Sequence, residues 1–216
     1  MSTIQQFKKP QNLKRHNYSF VIETRSTIIK PITHLEITEN YVSWLNDKEN
    51  NQYLEVRHHK QSKQSIEKYI NFLRSNENCE MFAIFNKKYQ KHIGNLTITS
   101  FNIYDNGTVD FGLMIGDKNS RLMGVGAEAH LAFLEFIFSY DQITRVNANV
   151  ASENIIALRT LESVGYVKEG QRRNCFPLLN GNKCDVIYYG MLREDWNKRK
   201  SKLSLVLKDI KILRSQ

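Results

Sequence analysis

Alternating apolar and polar residues predict a strand followed by a helix in the middle of the chain. The apolar residues of the strand are Val109, Phe111, Leu113 and Ile115. Polar or small residues separate them, as expected of a strand with one buried face. A polar stretch from Gly116 to Ser120 ends this pattern, and from Ala127 apolar residues recur at the spacing of one helix face. The sequence therefore predicts a strand, a turn and a helix over residues 108–138.

The same patterns predict the elements on either side. Before the central strand, helices are expected at about 38–46 and 62–74, and strands at 22–33, 81–85 and 92–98. After the central helix, the pattern predicts a strand at 145–150, a helix from Asn154, and a hairpin of 166–176 with 185–191. Apolar residues between 203 and 213 fit a helical stripe, although residues 203, 205 and 207 also alternate as in a strand. A helix is the prediction there.

A glycine-containing loop, Arg121-Leu122-Met123-Gly124-Val125-Gly126, lies between the central strand and helix. Glycines let a ligand approach the backbone, the first helical turn leaves N–H groups free, and the helix dipole favours an anion. Arg121 adds a full positive charge. The loop is therefore predicted to bind phosphate. A Walker loop is excluded, because it requires Gly-Lys followed by Ser or Thr.

A Rossmann dinucleotide loop is the main alternative. Gly124-x-Gly126-x-x-Ala129 matches its glycine spacing, and Glu153 follows the next predicted strand. Such a loop normally follows the first parallel strand closely. Here a long polar turn separates it from Ile115, and several predicted hairpin strands come earlier. This context favours a different phosphate binder.

Two segments together resemble the GNAT superfamily of acyl-CoA N-acyltransferases. The first is the R-x-x-G-x-G loop, which binds pyrophosphate in that superfamily. The second runs from Asn154 to Tyr166 and is similar to the superfamily's N-x-x-A-x-R-x-Y-E-x-x-G-F segment. Leu161 is a departure, because many members carry at that position the tyrosine that protonates the departing thiolate. The resemblance covers about residues 22–196 and is greatest to the RimJ/RimL-like branch, in which a first strand with a basic end runs into a proline.

The resemblance implies an α/β (α+β) fold with a mixed, mostly antiparallel and partly parallel central sheet of about seven strands, flanked by helices. It also implies acetyl-CoA as co-substrate. The pantetheine slot would be lined by Leu113, Met114 and Ile115. The pyrophosphate would be held by Arg121, Met123, Gly124, Val125, Gly126 and Ala127. Asn154 and Ala157 are the implied cofactor contacts of the second segment; the alternative for Asn154 is a helix N-cap, for which Asn is a preferred residue.

The implied chemistry needs a neutral amine and a route for one proton. Asp110, at the start of the central strand, is the first candidate for the general base, and Glu55 and His58 are the second. Leu161 cannot donate a proton, which leaves Ser152, Ser163, Tyr166 or water as the acid. Tyr166 is also expected to pack in the core, where the family usually has an aromatic residue.

The loop between the first two predicted helices is implied to form one wall of the acceptor site. Its expected substrate contacts are Tyr53, Glu55, Arg57 and His58. The stretches 53–57 and 115–118 are similar to family members associated with amino sugars of surface polysaccharides, so the expected acceptor is the primary amine of an amino sugar or nucleotide-linked amino sugar. A protein N-terminus, such as that of a ribosomal protein, is the alternative from the RimJ/RimL-like branch. Because the tyrosine is missing, a non-catalytic acyl-CoA-binding module is an alternative of another class.

Composition and charge bear on the partners and the cellular compartment of the protein. The 216 residues carry a formal net charge of +9, most of it in residues 1–30 and 193–216. The near-neutral interior argues against specific nucleic-acid binding. Three cysteines without paired spacing favour a reducing compartment, and neither a secretory signal nor a transmembrane segment is evident, so a cytoplasmic location is expected. The histidine spacing predicts no metal site.

The predicted domain organisation has three parts. A basic, flexible segment occupies residues 1–18, an N-acetyltransferase domain occupies 19–197, and a basic amphipathic segment occupies 198–216. The apolar stripe of the last segment is expected to pack on the domain or on a second subunit, which makes a homodimer a candidate assembly. Attachment to a membrane surface is the alternative.

Overall fold

The computed structural model describes residues 20–102, 106–121 and 123–214, so the predicted N-terminal segment lies outside the described residues. The strands are β1 (Phe20–Glu23), β2 (Thr27–Pro31), β3 (Glu80–Asn86), β4 (Lys91–Asn102), β5 (Thr108–Ile115), β6 (Arg145–Ala151), β7 (Val167–Pro177), β8 (Lys183–Leu192) and β9 (Lys211–Arg214). The α-helices are α1 (Glu39–Asn46), α2 (Lys48–Asn51), α3 (Lys63–Ser75), α4 (Lys118–Arg121), α5 (Val125–Ile137), α6 (Ile155–Val164), α7 (Arg193–Lys202) and α8 (Ser204–Leu207). Two 3₁₀ turns occupy His34–Glu36 and Glu55–His58.

The nine strands form one sheet in the order β7-β8-β6-β5-β4-β3-β2-β1-β9. The pair of β5 with β6 is parallel, and the other neighbouring pairs are antiparallel. This confirms the predicted mixed, mostly antiparallel sheet flanked by helices. The predicted meander is β3-β4-β5, and the predicted C-terminal hairpin is β7-β8. The strand count exceeds the predicted seven because both ends of the described chain contribute an additional strand.

The prediction of one continuous strand over residues 22–33 is wrong. A tight turn at 24–26 divides it into the hairpin β1-β2. The Thr24 side-chain oxygen accepts hydrogen bonds from the backbone N–H groups of Ser26 at 3.2 Å and Thr27 at 2.8 Å. A threonine side chain thus closes the turn, as Ser and Thr do in place of glycine or proline. Ile22 and Ile29, one on each strand, both enter the core.

The predicted C-terminal helix is also wrong over most of its length. Helix α8 has a single turn, and the chain then forms β9, which pairs antiparallel with β1 through partners such as Val21 and Leu213. The backbone groups of β1 on this side would otherwise lie unpaired at the sheet edge, and β9 supplies their partners. Ile210 and Ile212 pack against the core.

Helices cover the sheet on both faces and divide the core in two. Helix α5 lies on one face, and the buried residues of this layer include Ala129, Phe133 and Phe136. Helices α1 and α3 lie on the other face, where Ile66 and Ile70 of α3 join a smaller cluster. The spacing of these α3 residues is that of one helix face, as predicted. Val109 and Phe111 belong to the α5 layer, whereas Met114 packs against the α1/α3 layer.

A close contact fixes α1 against the end of the central strand. The Trp44 ring lies directly on the backbone of Gly116, where an added β-carbon would be 2.2 Å from the ring. The His92 ring packs edge-on against two aromatic rings of α1. Its centroid lies 5.0 Å from that of Trp44 and 5.6 Å from that of Tyr41. Position 116 therefore requires glycine, because the Trp44 ring leaves no space for a side chain.

We expect Gly116→Ala to lower the free energy of unfolding by about 1–3 kcal/mol, because the buried Trp44 ring must shift to admit a methyl group. Denaturant unfolding measures this change. The matched control is Gly170→Ala, since a β-carbon at Gly170 meets nothing within 4 Å. Equal stability of the two variants would contradict the assignment.

Candidate active site

Strands β5 and β6 separate early and leave a wedge between them. Their parallel ladder contains three pairs and ends at Asp110 with Asn147. Beyond this apex, residues 111–115 of β5 pair with β4, and residues 148–151 of β6 pair with β8. In an antiparallel pair, alternate residues direct their N–H and C=O groups away from the partner. Both walls of the wedge therefore present backbone donors and acceptors to its interior.

The predicted slot residues lie along this wedge. Leu113, Met114 and Ile115 are half-buried and form the last three residues of β5, beyond its final pair with β6. Phe111, nearer the apex, is buried. The mouth of the wedge is its Ile115 end, away from the last β5–β6 pair, and the length of unpaired backbone between the two suits an elongated ligand.

The first turn of α5 lies at the mouth of the wedge. Gly124, just before the helix, has a φ of 73°, in the left-handed region that strongly favours glycine, and no side chain caps the helix start among the described residues. A β-carbon on Gly126 would instead point at Ile115, 3.4 Å from Cγ1. Gly124 therefore shapes the loop, and Gly126 allows the helix to approach β5.

The remaining loop residues present different groups to this site. Val125 is buried, so its backbone alone is available, and Ala127 is half-buried. The Met123 side chain is 65% exposed. Uncapped N–H groups and the positive end of the helix dipole make this turn suitable for an anion.

Arg121 ends the short helix α4, which occupies part of the predicted turn. Its Nε donates to the Ile115 carbonyl oxygen at 3.0 Å, and Nη1 lies 3.4 Å from Oε1 of Glu49. The guanidinium group is thus held next to the α5 turn by one edge. Its remaining N–H groups are available for an anionic ligand.

Asn154 and Ala157 lie at the start of α6, which follows the β6 wall. Asn154 Oδ1 accepts a hydrogen bond from the Ala157 backbone N–H at 3.3 Å. Asn154 therefore acts as an N-cap in the structure. The cofactor contact expected of both residues remains a prediction.

A charged cluster lies at the apex, on the sheet face that α1 and α3 cover. Asp110 points to this face because its neighbours Val109 and Phe111 point to the other. Arg145 Nε donates to Asn147 Oδ1 at 2.6 Å, and its terminal nitrogens donate to both carboxylate oxygens of Glu169. The hydrogen bonds from Arg145 to Glu169 and the charge of Asp110 raise the pKa of Arg145.

Sequence reasoning missed Arg145, Asn147 and Glu169. Polar residues at 145, 147 and 149 alternate along β6, which indicated a polar face but gave no partner. The bulge between Lys168 and Gly170 in the β7–β8 pairing brings Glu169 to Arg145. Gly190 leaves space for the pair, because a β-carbon there would collide with both side chains.

The predicted acceptor wall, residues 53–58, reaches across to the other side of the wedge. Tyr53 Oη donates to the Glu153 carbonyl oxygen at 3.0 Å. The Arg57 guanidinium lies 4.5 Å from the centroid of the Phe176 ring, and Nη2 donates to the Pro177 carbonyl oxygen at 3.3 Å. Tyr53 and Arg57 therefore attach this wall to the β6–α6 connection and to the end of β7.

The other two wall residues, Glu55 and His58, are exposed. The Glu55 side chain is 86% exposed and lies 3.5 Å from Arg57 Nη1. The structure thus gives the four residues two roles. Two side chains fix the wall, and two remain accessible to a substrate.

Comparisons with known proteins decide the family. Residues 26–167 match the family model described as acetyltransferase (GNAT) domain. The chain belongs to the GNAT acetyltransferase family. It is 29% identical over 122 residues to the uncharacterized N-acetyltransferase YnaD of Bacillus subtilis, which covers 56% of this chain and 69% of that protein.

Solved structures have the same fold. A spermidine N-acetyltransferase from Vibrio cholerae, in complex with CoA and spermine, matches with a TM-score of 0.71 and 17% identity, over 80% of this chain and 98% of that one. The RimL ribosomal L7/L12 alpha-N-protein acetyltransferase, in complex with coenzyme A, matches with a TM-score of 0.70 and 15% identity, over 80% and 97%. The GNAT family therefore fixes acetyl-CoA as the co-substrate and acyl transfer as the reaction class.

The residue that replaces the family's tyrosine is part of the core. Leu161 is 5% exposed and packs in the α5 layer. Tyr166, a predicted candidate for the acid, is also buried there, with its Oη 3.0 Å from Nε2 of His130. Burial raises the Tyr166 pKa far above its usual value. The Tyr166 hydroxyl thus has a partner inside the core, as expected of the packing role; its part in proton transfer remains a prediction.

Two further findings concern membrane-spanning helices and metal sites. Within the described ranges, no helix is long and apolar enough to cross a membrane. The same ranges contain no group of three or more His, Cys, Asp or Glu side chains arranged to bind a metal ion.

Arg121→Gln should weaken acetyl-CoA binding at least about tenfold, because a charge-assisted hydrogen bond to phosphate contributes about 1.5–3 kcal/mol. Arg121→Lys keeps the charge but loses the Nε bond to Ile115, so its affinity should be intermediate. Titration calorimetry gives both values. Unchanged affinity in Arg121→Gln would show that Arg121 does not contact the pyrophosphate.

The buried His130 should make the protein sensitive to acid. Burial lowers the pKa of His130 to about 4, whereas an unfolded imidazole titrates near 6.5. Between these values the unfolded chain binds a proton that the folded chain does not. The free energy of unfolding should therefore fall by about 3 kcal/mol as the pH drops from about 6.5 to 4, with no contribution above this window.

Denaturant unfolding across this pH range, in the wild type and His130→Gln, measures that contribution. Glutamine does not titrate, so the variant should lose less stability over the same window. Parallel pH dependences of the two proteins would show that His130 does not carry the effect.

Proposed function

We propose that the protein acetylates the primary amine of an amino sugar, in particular a nucleotide-linked amino sugar, with acetyl-CoA as donor. The observation that carries the proposal is the wedge between β5 and β6, with the uncapped α5 turn at its mouth and Asp110 at its apex. A donor that binds in the wedge has its anionic part at the mouth and its thioester near a carboxylate.

The residues that we assign to the donor follow the wedge from mouth to apex. Arg121, Met123 and the backbone of Gly124, Val125, Gly126 and Ala127 hold the pyrophosphate. Backbone groups of Leu113, Met114 and Ile115 bind the pantetheine arm, with Asn154 and Ala157 on the opposite wall. A β5 N–H near the apex donates to the thioester oxygen, which gains negative charge in the transition state.

Asp110 is the proposed general base. The amine nitrogen attacks the thioester carbon, the new C–N bond forms and the C–S bond breaks. Asp110 accepts the proton that the nitrogen loses, either directly or through water. The thiolate leaves with the bonding electrons and takes a proton from water, which its pKa of about 8.5 permits without an acid from the protein.

The surroundings of the acceptor wall support an anionic acceptor. Basic side chains, Arg172 and Arg173, are exposed on β7 close to the point where the wall meets Phe176. The Arg172 guanidinium lies 5.5 Å from the centroid of the Tyr188 ring, on the face that carries Asn149. Arginine pairs with phosphate, and an aromatic ring stacks on a nucleobase. A nucleotide-linked amino sugar offers both groups.

Other acceptors give different results in one assay. Thiol release from acetyl-CoA should be fastest with a nucleotide-linked amino sugar, slower with the free amino sugar, and slow with polyamines and peptides. Preference for peptides would instead indicate a protein N-terminal acetyltransferase of the RimJ/RimL-like type. Tight acetyl-CoA binding without turnover on any amine would indicate a binding module.

We propose a reducing, cytoplasmic location and a domain that begins near residue 19 and extends past the predicted boundary at 197, because β9 belongs to the same sheet. No disulfide joins the three cysteines, all of which lie within the described residues. The pairing of β9 with β1 supports an intramolecular role for the C-terminal segment, in preference to a dimer contact or membrane attachment.

Asp110→Asn should lower turnover about a hundredfold at neutral pH and leave acetyl-CoA affinity unchanged, because it removes the base and not a donor contact. The loss should shrink as the pH rises and the free amine becomes abundant. A pH–rate profile of both proteins tests this. The matched control is Asp141→Asn, an exposed residue in the turn after α5.

Two outcomes would contradict this assignment. One is wild-type turnover in Asp110→Asn. The other is a descending limb at about pH 10, the range of a tyrosine acid, that disappears in Tyr166→Phe.

A further inference from the structure

Helix α2 is attached to the segment that leads into the donor site. Lys118 Nζ lies 3.0 Å from Oδ2 of Asp47, which caps α2, and 2.9 Å from Oε2 of Glu49 within α2. The other carboxylate oxygen of Glu49 lies 3.4 Å from Nη1 of Arg121. Glu49 therefore bridges two cations, one of which is the proposed pyrophosphate ligand.

The charges of this cluster cancel before a donor binds. Asp47 and Glu49 oppose Lys118 and Arg121, and hydrogen bonds to both carboxylates raise the pKa of Lys118. A pyrophosphate at the α5 turn adds uncompensated negative charge beside Glu49. The most direct compensation is for Arg121 to turn its Nη groups from Glu49 to the phosphate, because its Nε is already held by Ile115.

The same helix leads directly into the acceptor wall. Asn50 Nδ2 donates to the Gly116 carbonyl oxygen at 3.2 Å, so a side chain of α2 also binds the backbone of the donor segment. The Leu54 N–H donates to the Asn51 carbonyl oxygen at 2.7 Å, which joins the end of α2 to the start of the wall. A shift of α2 therefore also moves residues 53–58, because the two segments are adjacent in the chain and are joined by this hydrogen bond.

We propose that Glu49 is a positioning residue that couples donor binding to the acceptor wall. Glu49 holds α2 against the donor segment through Arg121 and Lys118, and the pyrophosphate of acetyl-CoA competes with it for Arg121. Donor binding thus loosens α2 and adjusts the wall for the acceptor. This inference rests on the proposed donor site.

The strength of the Glu49 contact suits such an exchange. Its side chain is 64% exposed, and exposed ion pairs contribute about 0.2–1 kcal/mol. A charge-assisted bond from arginine to phosphate contributes more. Arg121 therefore exchanges its partner at small cost, whereas a buried pair would hold it.

Calorimetry with acetyl-CoA and hydrogen exchange over residues 47–59 test the coupling. Glu49→Gln should bind acetyl-CoA about two- to fivefold more tightly than the wild type, because the competitor for Arg121 is removed. In the wild type, saturating CoA should raise amide exchange in α2 about two- to fivefold. In Glu49→Gln this response should be absent. A purely structural role would weaken donor binding in the variant.

Two further variants separate charge from geometry. Glu39, on α1, forms an exposed ion pair with Lys63, with Oε1 and Nζ 3.0 Å apart. Glu39→Gln removes the same charge as Glu49→Gln, and its acetyl-CoA affinity and amide exchange should equal those of the wild type. Glu49→Asp keeps the charge but is too short to bridge both cations, so it should lose the exchange response.

The experiments distinguish failure of the proposed donor site from failure of the proposed coupling. Absence of acetyl-CoA binding in the wild type would refute the donor site itself. Normal binding with equal affinity and equal exchange responses in the wild type and Glu49→Gln would overturn the coupling alone.

Discussion

The early end of the β5–β6 ladder is the constraint on which the rest of the site depends. A sheet normally pairs every backbone group of its inner strands, and an unpaired group away from water is costly. Here the ladder ends at Asp110 with Asn147, although both strands continue. The wedge therefore has to lie at the surface, where water or a ligand supplies the missing partners. A thioester donor rich in amide groups is such a ligand.

The core keeps its helices in place without any contribution from the open site, because its two layers lie on the faces of the sheet and not between β5 and β6. Helix α5 is buried on nearly all sides, so its position does not depend on any ligand at its first turn. Its N–H groups at Gly124 are consequently held in place before an anion arrives, and binding requires little reorganisation. The same helix places Gly126 against Ile115, so the first turn of α5 lies close to the end of β5.

The pattern of apolar and polar residues predicted those elements that are determined by residues close together in the sequence. The alternation in β5, the apolar faces of α3 and α5 and the turn of the β7–β8 hairpin all belong to this class. The turn at Thr24 was missed because a hydroxyl closes it without glycine or proline. Strand β9 was missed because its partner, β1, lies about 190 residues away and decides between two periodicities. The contacts of Arg145 with Glu169, and of Glu49 with Arg121, depend likewise on register and packing between distant segments.

In the proposed reaction the thiolate leaves without an acid from the protein, which changes what the remaining residues must achieve. Leu161 belongs to the core, and the Tyr166 hydroxyl lies within hydrogen-bond distance of His130, so the proposal gives neither residue a part in proton transfer. Catalysis then depends mainly on the relative placement of donor and acceptor. That placement is set by contacts between segments distant in sequence, such as Asn50 with Gly116 and Arg57 with Pro177. The first contact holds α2, which leads into the acceptor wall, against the donor segment, and the second holds the wall itself against β7. The geometry of the reaction is therefore a property of how this wall spans the wedge, more than of any single reactive side chain.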